Sequence, residues 1–457
     1  MKKDILNGKK VLIMGAGKSG IAAERLLFAV GAVTVIFDEN KELDKEKLKE
    51  KLLPDTPLIY SGSLPDEERL SAELLVMSPG IPVDTEFVED FKSRGIPVWG
   101  EIELGYRFGA GKLIGITGTN GKTTTTALTG KIVADYFGKS FVVGNIGDPY
   151  TEKALLINEL DVTVAEISSF QLETAVLFHP NVSAILNITP DHLNRHHTME
   201  NYVECKQSIT KNQTKDDFCV LNYEDEYLRS FGENCNASVI WFSSERSLKD
   251  GFCLKGNSIC YAENGNETIV CDVDELKLLG KHNYENVMAA VAMGKAIGIP
   301  MESIVKSIKA FTAVEHRIEY VATVNGVDYY NDSKGTNPDA AIKGIQAMKK
   351  KTVLIGGGYD KQNEYDSWIE SFDGKVKELV LIGQTKDKIA ECARKHGMND
   401  IYLADTFEEA FNRCRDIAKD GEAVLLSPAC ASWGMFTNYE ERGRIFKEMV
   451  HALETDK

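Results

Sequence analysis

The chain has 457 residues, 43% hydrophobic and 27% charged, with a formal net charge of −16. That length allows roughly two to four globular domains, each with its own core. The acidic balance excludes the basic face of a nucleic-acid binder, so any anionic ligand needs a locally basic or metal-bridged site.

Met1-Lys2-Lys3 soon turns apolar, but Lys18, Glu24 and Arg25 interrupt the run, which reads as a first strand and helix and not as an export signal. No uncharged apolar stretch reaches the ~18 residues of a membrane span, so no membrane partner is expected. Nine cysteines form no C-x-x-C pair; they suit reduced, packed thiols in the cytoplasm and argue against a metal site built from cysteines.

In chain order, residues 1–100 alternate apolar runs with helical stretches: strands at 11–14, 33–37 and 74–77 and a helix at 21–30 predict a parallel sheet covered by helices. Gly15-Ala16-Gly17-Lys18-Ser19-Gly20 follows the first strand and opens the helix, with Asp38 after the next strand. This is a dinucleotide fingerprint, in which a diphosphate sits on the helix N-terminus and the acid bonds a ribose hydroxyl. The alternative is glycines that serve helix–strand packing alone. Taken by itself, the segment would suggest an NAD-dependent oxidoreductase. Trp99-Gly100-Glu101 reads as a linker.

Residues 101–312 form the second domain. Ile114-Gly115-Ile116-Thr117-Gly118-Thr119-Asn120-Gly121-Lys122-Thr123-Thr124-Thr125 runs from a strand through a glycine-spaced loop into a helix. Such a loop lets backbone N–H groups and a helix N-terminus approach phosphates, with Lys122 on the terminal phosphates and the Thr123 hydroxyl on Mg²⁺. It departs from the Walker pattern, because Ile116 stands where the first glycine belongs and Gly115 is one place too early. Glu166 ends a strand at 162–167; beside a phosphate loop it would hold Mg²⁺ with Thr123, and without one it is a solvated charge. The strand at 182–188 ends in Thr189-Pro190-Asp191-His192-Leu193-Asn194-Arg195-His196. His192 suits a magnesium or manganese site as a single imidazole, whereas His196 and His197 read as surface residues. By residue type Lys206 is a solvated lysine. An ammonium cannot ligate Mg²⁺; only a carbamylated Lys206 could, and that needs an amine kept neutral by burial or nearby cations. Beyond residue 215 the chain is richer in short strands, then reaches a helix at 283–297.

Residues 313–457 form a third domain, with buried strands at 353–355, 379–382 and 424–426. Its polar turns are His316-Arg317, Asn331-Asp332-Ser333-Lys334-Gly335-Thr336-Asn337, Gly356-Gly357-Gly358-Tyr359-Asp360-Lys361 and Ser427-Pro428-Ala429-Cys430-Ala431-Ser432-Trp433-Gly434-Met435-Phe436. Cys430 lacks a recognisable partner histidine and reads as a buried small residue.

Together these motifs resemble the Mur ligase family, the ATP-dependent amide-forming enzymes of peptidoglycan synthesis, over essentially the whole chain. Thr117-Gly118-Thr119-Asn120-Gly121-Lys122-Thr123 is similar to the family's own phosphate loop, and Gly144-Asn145-Ile146-Gly147, Glu166-Ile167-Ser168-Ser169-Phe170-Gln171, Asp191-His192 and His282-Asn283-Tyr284-Glu285-Asn286 follow in family order. The motifs after residue 330 are most similar to the member that adds D-glutamate; the Asp-Asn-Pro-Arg motif of the diaminopimelate-adding relatives is absent. Trp433 departs from the pattern, which has an aliphatic residue there.

The resemblance implies an α/β fold of three domains: a Rossmann-like N-terminal domain, a central P-loop ATPase-type domain and a Rossmann-like C-terminal domain. It implies UDP-N-acetylmuramoyl-L-alanine, D-glutamate and ATP as substrates of a cytoplasmic monomer, with two Mg²⁺ ions, or Mn²⁺ in their place. Gly118, Thr119, Asn120, Gly121, Lys122, Thr123, Thr124, Asn283, Asn286, Arg317 and Asp332 would bind ATP. Thr123 and Glu166 would hold one metal, and His192 with carbamylated Lys206 the other. Lys122, His192, Lys206 and Lys334 would be catalytic, with Lys334 stabilising the transferring phosphate. Gly17, Lys18, Ser19, Asp38, Glu39, Gly80 and Asn145 would face the UDP-sugar, and Thr336, Lys361, Ser432 and Tyr439 the D-glutamate. Because these residues come from three domains, closure on ligands is expected.

Overall fold

The computed structural model describes residues 5–52, 57–312 and 315–455. Met1-Lys2-Lys3, and Ala313 at the expected start of the third domain, lie outside the described residues. The chain forms two compact units, Met1–Val273 with Glu285–Ile308 and Asp274–Tyr284 with Lys309–Lys457.

The first unit holds two sheets. Strands β1 (Lys10–Met14), β2 (Val33–Asp38), β3 (Leu58–Ser61), β4 (Leu74–Met77) and β5 (Val98–Gly100) are all parallel, in the order β3-β2-β1-β4-β5. The apolar runs of β1 and β4 are buried on both faces, the pattern a helix-covered parallel sheet requires. The strand order reverses beside β1, opening a crevice at its carboxyl end.

Trp99-Gly100-Glu101 is not a linker. β5 runs directly into a helix at Glu101–Phe108, and all three residues are buried. The Glu101 carboxylate accepts from the Thr151 N–H at 2.7 Å and its hydroxyl at 2.9 Å, while Glu103 accepts from the N–H groups of Val176, Leu177 and Phe178 and pairs with Arg107. A triplet that reads as a break in sequence is thus a seam between two sheets.

The second sheet contains β6 (Lys112–Thr117), β7 (Phe141–Gly144), β8 (Val162–Glu166), β9 (Val182–Ile185), β10 (Phe218–Asn222), β11 (Ser238–Ser243), β12 (Gly251–Lys255), β13 (Ser258–Glu263) and β14 (Asn266–Asp272), in the order β14-β13-β12-β11-β10-β9-β6-β8-β7. Pairing is parallel from β7 to β12 and antiparallel between β12, β13 and β14. Here β6 is flanked by β8 and β9, so three strand ends meet at one switch point.

The second unit contains β15 (Glu319–Val324), β16 (Val327–Asn331), β17 (Thr352–Gly358), β18 (Val376–Gly383), β19 (Ile401–Leu403) and β20 (Ala423–Leu426), in the order β15-β16-β20-β17-β18-β19. Only β15 runs antiparallel to its neighbour. Leucine, isoleucine and valine at the centres of β17, β18 and β20 are fully buried between two helical layers.

Candidate functional site

In the first sheet Gly15 (φ 101°) turns the chain out of β1, where a side chain would strike Ser78. A side chain on Gly20 would collide with the Gly15 carbonyl, so the helix Lys18–Ala29 packs tightly against this turn. The Asp38 carboxylate accepts from the Ala16 N–H at 2.8 Å and the Asn40 N–H at 2.9 Å, bracing the turn from the end of β2. A cleft of about 380 Å³ opens above, lined by Gly17, Lys18, Ser19, Asp38, Glu39 and Gly80 among others. Asn145 is not among the lining residues; its side-chain amide donates to Glu166 at 2.8 Å, while Lys18 of the cleft donates to the Gly147 carbonyl at 2.6 Å.

The phosphate loop leaves the end of β6. Gly118 (φ 150°) and Gly121 (φ 83°) take conformations open to glycine, and Gly121 caps the helix Lys122–Phe137. No acidic residue occupies that helix's first turn, which leaves its N-terminus suited to an anion. Asn286 packs against Gly121 and accepts from the Thr125 hydroxyl at 3.2 Å. The loop is held from β9 by Asn187, whose side chain accepts from the Asn120 N–H at 2.8 Å and donates to its carbonyl at 3.1 Å. The Tyr202 hydroxyl lies 3.0 Å from that of Thr119. Neither Asn187 nor Tyr202 belongs to the motifs singled out in sequence; a polar residue interrupting the apolar run that begins with β9 is the available signal.

Lys122 folds back onto the carbonyls of Gly118 at 2.8 Å and Thr119 at 2.9 Å, and Lys206 donates to the same Gly118 carbonyl at 2.9 Å. Lys206 is 2% exposed, so the solvated reading fails; its ammonium lies 4.7 Å from the Tyr202 ring centre. Burial, and then the charge of Lys122, bring its pKa down to about 7. Glu166 is 1% exposed; its Oε1 is held by Asn145, and its buried Oε2 has no hydrogen-bond partner. An orphaned carboxylate oxygen beside a phosphate loop fits a magnesium ligand, because burial without a partner is otherwise costly.

His192 adopts a left-handed conformation (φ 52°) with 49% of its side chain exposed, edge-on to Phe170. His196 is not a surface residue. It is buried, with Nε2 3.0 Å from the Ser169 hydroxyl, and burial lowers its pKa. Stacking on Phe170, 26 residues upstream, and contact with Tyr202 account for this. His197 is exposed.

In the second unit the turns after β16, β17 and β20 converge. Asp332 is buried, accepting from the Ser427 hydroxyl at 2.7 Å and the Ile318 N–H at 3.2 Å; burial raises its pKa to about 7, opposed by Ser427 and Arg317. Lys334 lies 5.8 Å from the Tyr439 ring centre. Lys361 lies 4.6 Å from the Trp433 ring centre, and Tyr359 meets Trp433 edge-on. Ser432 is buried, and Thr336 follows in the turn, its N–H on the Lys334 carbonyl. The Asn283 side chain donates to the Leu279 carbonyl at 2.7 Å. Arg442, unmarked by any motif, is fully buried and ties Ser333 to the Cys430 carbonyl. Cys430 is a buried thiol, as its sequence context indicates. None of the nine cysteines is in a disulfide, and among the described residues no helix is long and apolar enough to cross a membrane.

Residues 9–100 match the family described as Mur ligase MurD-like, N-terminal domain, residues 116–294 the Mur ligase middle domain, and residues 316–430 the Mur ligase, glutamate ligase domain. The chain is 55% identical over 454 residues to the UDP-N-acetylmuramoylalanine--D-glutamate ligase of Lachnoclostridium phytofermentans, covering 98% of this chain and 99% of that one. It is 58% identical over 449 residues to the protein of the same name from Lachnospira eligens, covering 98% and 100%. The fold is shared with MurF from Acinetobacter baumannii (TM-score 0.62, 16% identity, 97% and 93% covered). It is also shared with UDP-N-acetylmuramate-alanine ligase MurC from Thermotoga maritima (TM-score 0.60, 17% identity, 97% and 99% covered).

Proposed function

Because the chain belongs to the Mur ligase family, we propose that it joins D-glutamate to UDP-N-acetylmuramoyl-L-alanine at the expense of ATP, in the cytoplasmic synthesis of peptidoglycan precursors. The observation that carries the phosphoryl-transfer chemistry is the grouping of Lys122, Lys206 and the orphaned Glu166 oxygen around one glycine loop. The shared name of the two relatives supports the amino acid added.

The alanine carboxylate attacks the γ-phosphorus, giving an acyl phosphate and ADP. The D-glutamate amine then attacks the acyl carbon, loses a proton, and phosphate departs from the tetrahedral intermediate. Positioning and neutralising crowded anions is the main demand on such a site. Lys122 would exchange its two backbone carbonyls for the β- and γ-phosphates. Thr123 and Glu166 would hold one Mg²⁺, and His192 with a carbamate on Lys206 the second. Bound there, the metals would polarise the phosphoryl oxygens and neutralise charge. The pKa of Lys206, near 7, keeps a fraction of its amine neutral and able to take up carbon dioxide. In the second unit, Arg317 and Asp332 are assigned to the nucleotide, Lys334 to the transferring phosphate, and Thr336, Lys361, Ser432 and Tyr439 to D-glutamate. The cleft beside Gly17, Lys18 and Asp38 is assigned to the UDP-sugar.

Phosphate release measured with UDP-N-acetylmuramoyl-L-alanine, ATP and Mg²⁺ tests this reading. Release should require D-glutamate and stay at background with L-lysine, diaminopimelate or no amino acid. Equal release under all conditions would defeat it.

A further inference from the structure

The helix Asp366–Glu370 carries a carboxylate at each end, four residues apart and so on one face. The helix Lys386–Lys395, capped by His396, carries Cys392 and His396 at the same spacing. The two helices pack through Trp368, Ile369, Ile389, Ala390 and Ala393 in one core, which brings their polar edges together. His396 Nε2 is 2.9 Å from Asp366 Oδ1, and its Nδ1 is 3.7 Å from Glu370 Oε1. One ligand atom each from Asp366, Cys392 and His396 lie within 4.8 Å of one another.

We propose that Asp366, Cys392 and His396 form a binding site for a zinc-class divalent cation, with Glu370 orienting the imidazole. The corner holds more than a histidine–aspartate pair: the Cys392 thiol hydrogen-bonds the same Asp366 carboxylate, and a second carboxylate stands 3.7 Å from the other ring nitrogen. A tetrahedral ion with bonds of about 2.0–2.3 Å sets its ligand atoms about 3.5 Å apart, so small side-chain rotations close the site. One thiolate, one imidazole and one carboxylate suit Zn²⁺, and water completes the shell on this exposed surface. A carboxylate on the far ring nitrogen is the usual way a metal-bound histidine is fixed in its tautomer. Burial and Asp366 push the Cys392 thiol up to about 11, so the ion must displace the thiol proton to solvent as the sulfur–metal bond forms. No C-x-x-C pair announces the site in sequence, because its donors come from two helices. Its occupant would fasten the helix that follows the Lys361 turn to its neighbour, independently of the ligase reading.

The test uses the full chain in excess Mg²⁺ with Co²⁺ as the probe. A thiolate-to-cobalt charge-transfer band should appear, saturate at about one equivalent and be displaced by Zn²⁺. Cys392→Ser, which keeps a hydroxyl for Asp366, should abolish the band while circular dichroism stays native. His396→Gln should weaken binding at least about tenfold, and Glu370→Gln about 10- to 100-fold. Zn²⁺ should also raise the thermal midpoint of the parent chain but not of Cys392→Ser. Absence of the band in the parent chain, or its persistence in Cys392→Ser, overturns the proposal.

Discussion

One carbonyl oxygen, that of Gly118, accepts from both Lys122 and Lys206, and the buried partner answers by holding its proton weakly. A lysine so placed is available for carbamylation in a way that a solvated one is not. Lys206→Ala is therefore expected to lower phosphate release about 100-fold or more, with partial recovery in millimolar short-chain carboxylate. Unchanged turnover would remove Lys206 from the mechanism. His282 supplies a pH effect of its own. Burial, then Lys343 and Arg317, lower its pKa from 6.5 to about 4. Between those values the unfolded chain binds a proton that the folded chain refuses, so stability falls as the pH drops through the window. His282→Gln should remove a loss on the order of 3 kcal/mol between pH 7 and 4, read from urea midpoints of both proteins. Equal acid sensitivity of the two would refute it. Lys206 and His196 show what the sequence withholds at this scale. Their residue types predict exposure, and neighbours far along the chain, Phe170 beside His196 and Lys122 beside Lys206, belong to the surroundings that reverse it.

At the scale of elements, the strands that lead to the phosphate loop, Glu166 and Asn187 are legible, because parallel strands buried on both faces are continuous apolar runs. The polar segment after each strand is legible as chemistry where it forms a known loop, and opaque where it acts through a partner. Asn187 is such a case: its amide closes two hydrogen bonds on Asn120, and Asn187→Ala should weaken ATP use by roughly 1–2 kcal/mol in kcat/KM, about 5- to 30-fold. A change in kcat/KM for D-glutamate alone would contradict that role. The start of the helix Glu101–Phe108 reads as a linker because its acids satisfy backbone groups 50 or more positions downstream. Glu103→Leu would take the acceptor from the buried Phe178 N–H, from the part-buried N–H groups of Val176 and Leu177 and from Arg107, an expected loss of about 2–3 kcal/mol in urea unfolding. A loss below about 1 kcal/mol would mean the seam relaxes.

Across the molecule, the sequence pattern anticipates three sheets but not the cohesion of the first two. One hydrophobic core joins Leu6, Ile13, Val76 and Trp99 of the first sheet and its flanks to Leu113, Val143, Ile185 and Leu221 of the second. Trp99 and Trp241 lie on opposite sides of that seam, both packed into the same core. Two single-tryptophan variants, one keeping Trp99 and one Trp241, should therefore give coincident unfolding midpoints once corrected for the substitutions. Clearly separated midpoints would show that each sheet melts alone.

That seam also limits how the chain can be recombined. A chimera cut at residue 108 would separate Glu101 from Thr151 and Glu103 from residues 176–178, and one cut at residue 100 would separate Trp99 from Arg107 and Arg25 from Glu152. A graft that carries the first sheet must bring the helix Glu101–Phe108 and its receiving loops as one inherited piece.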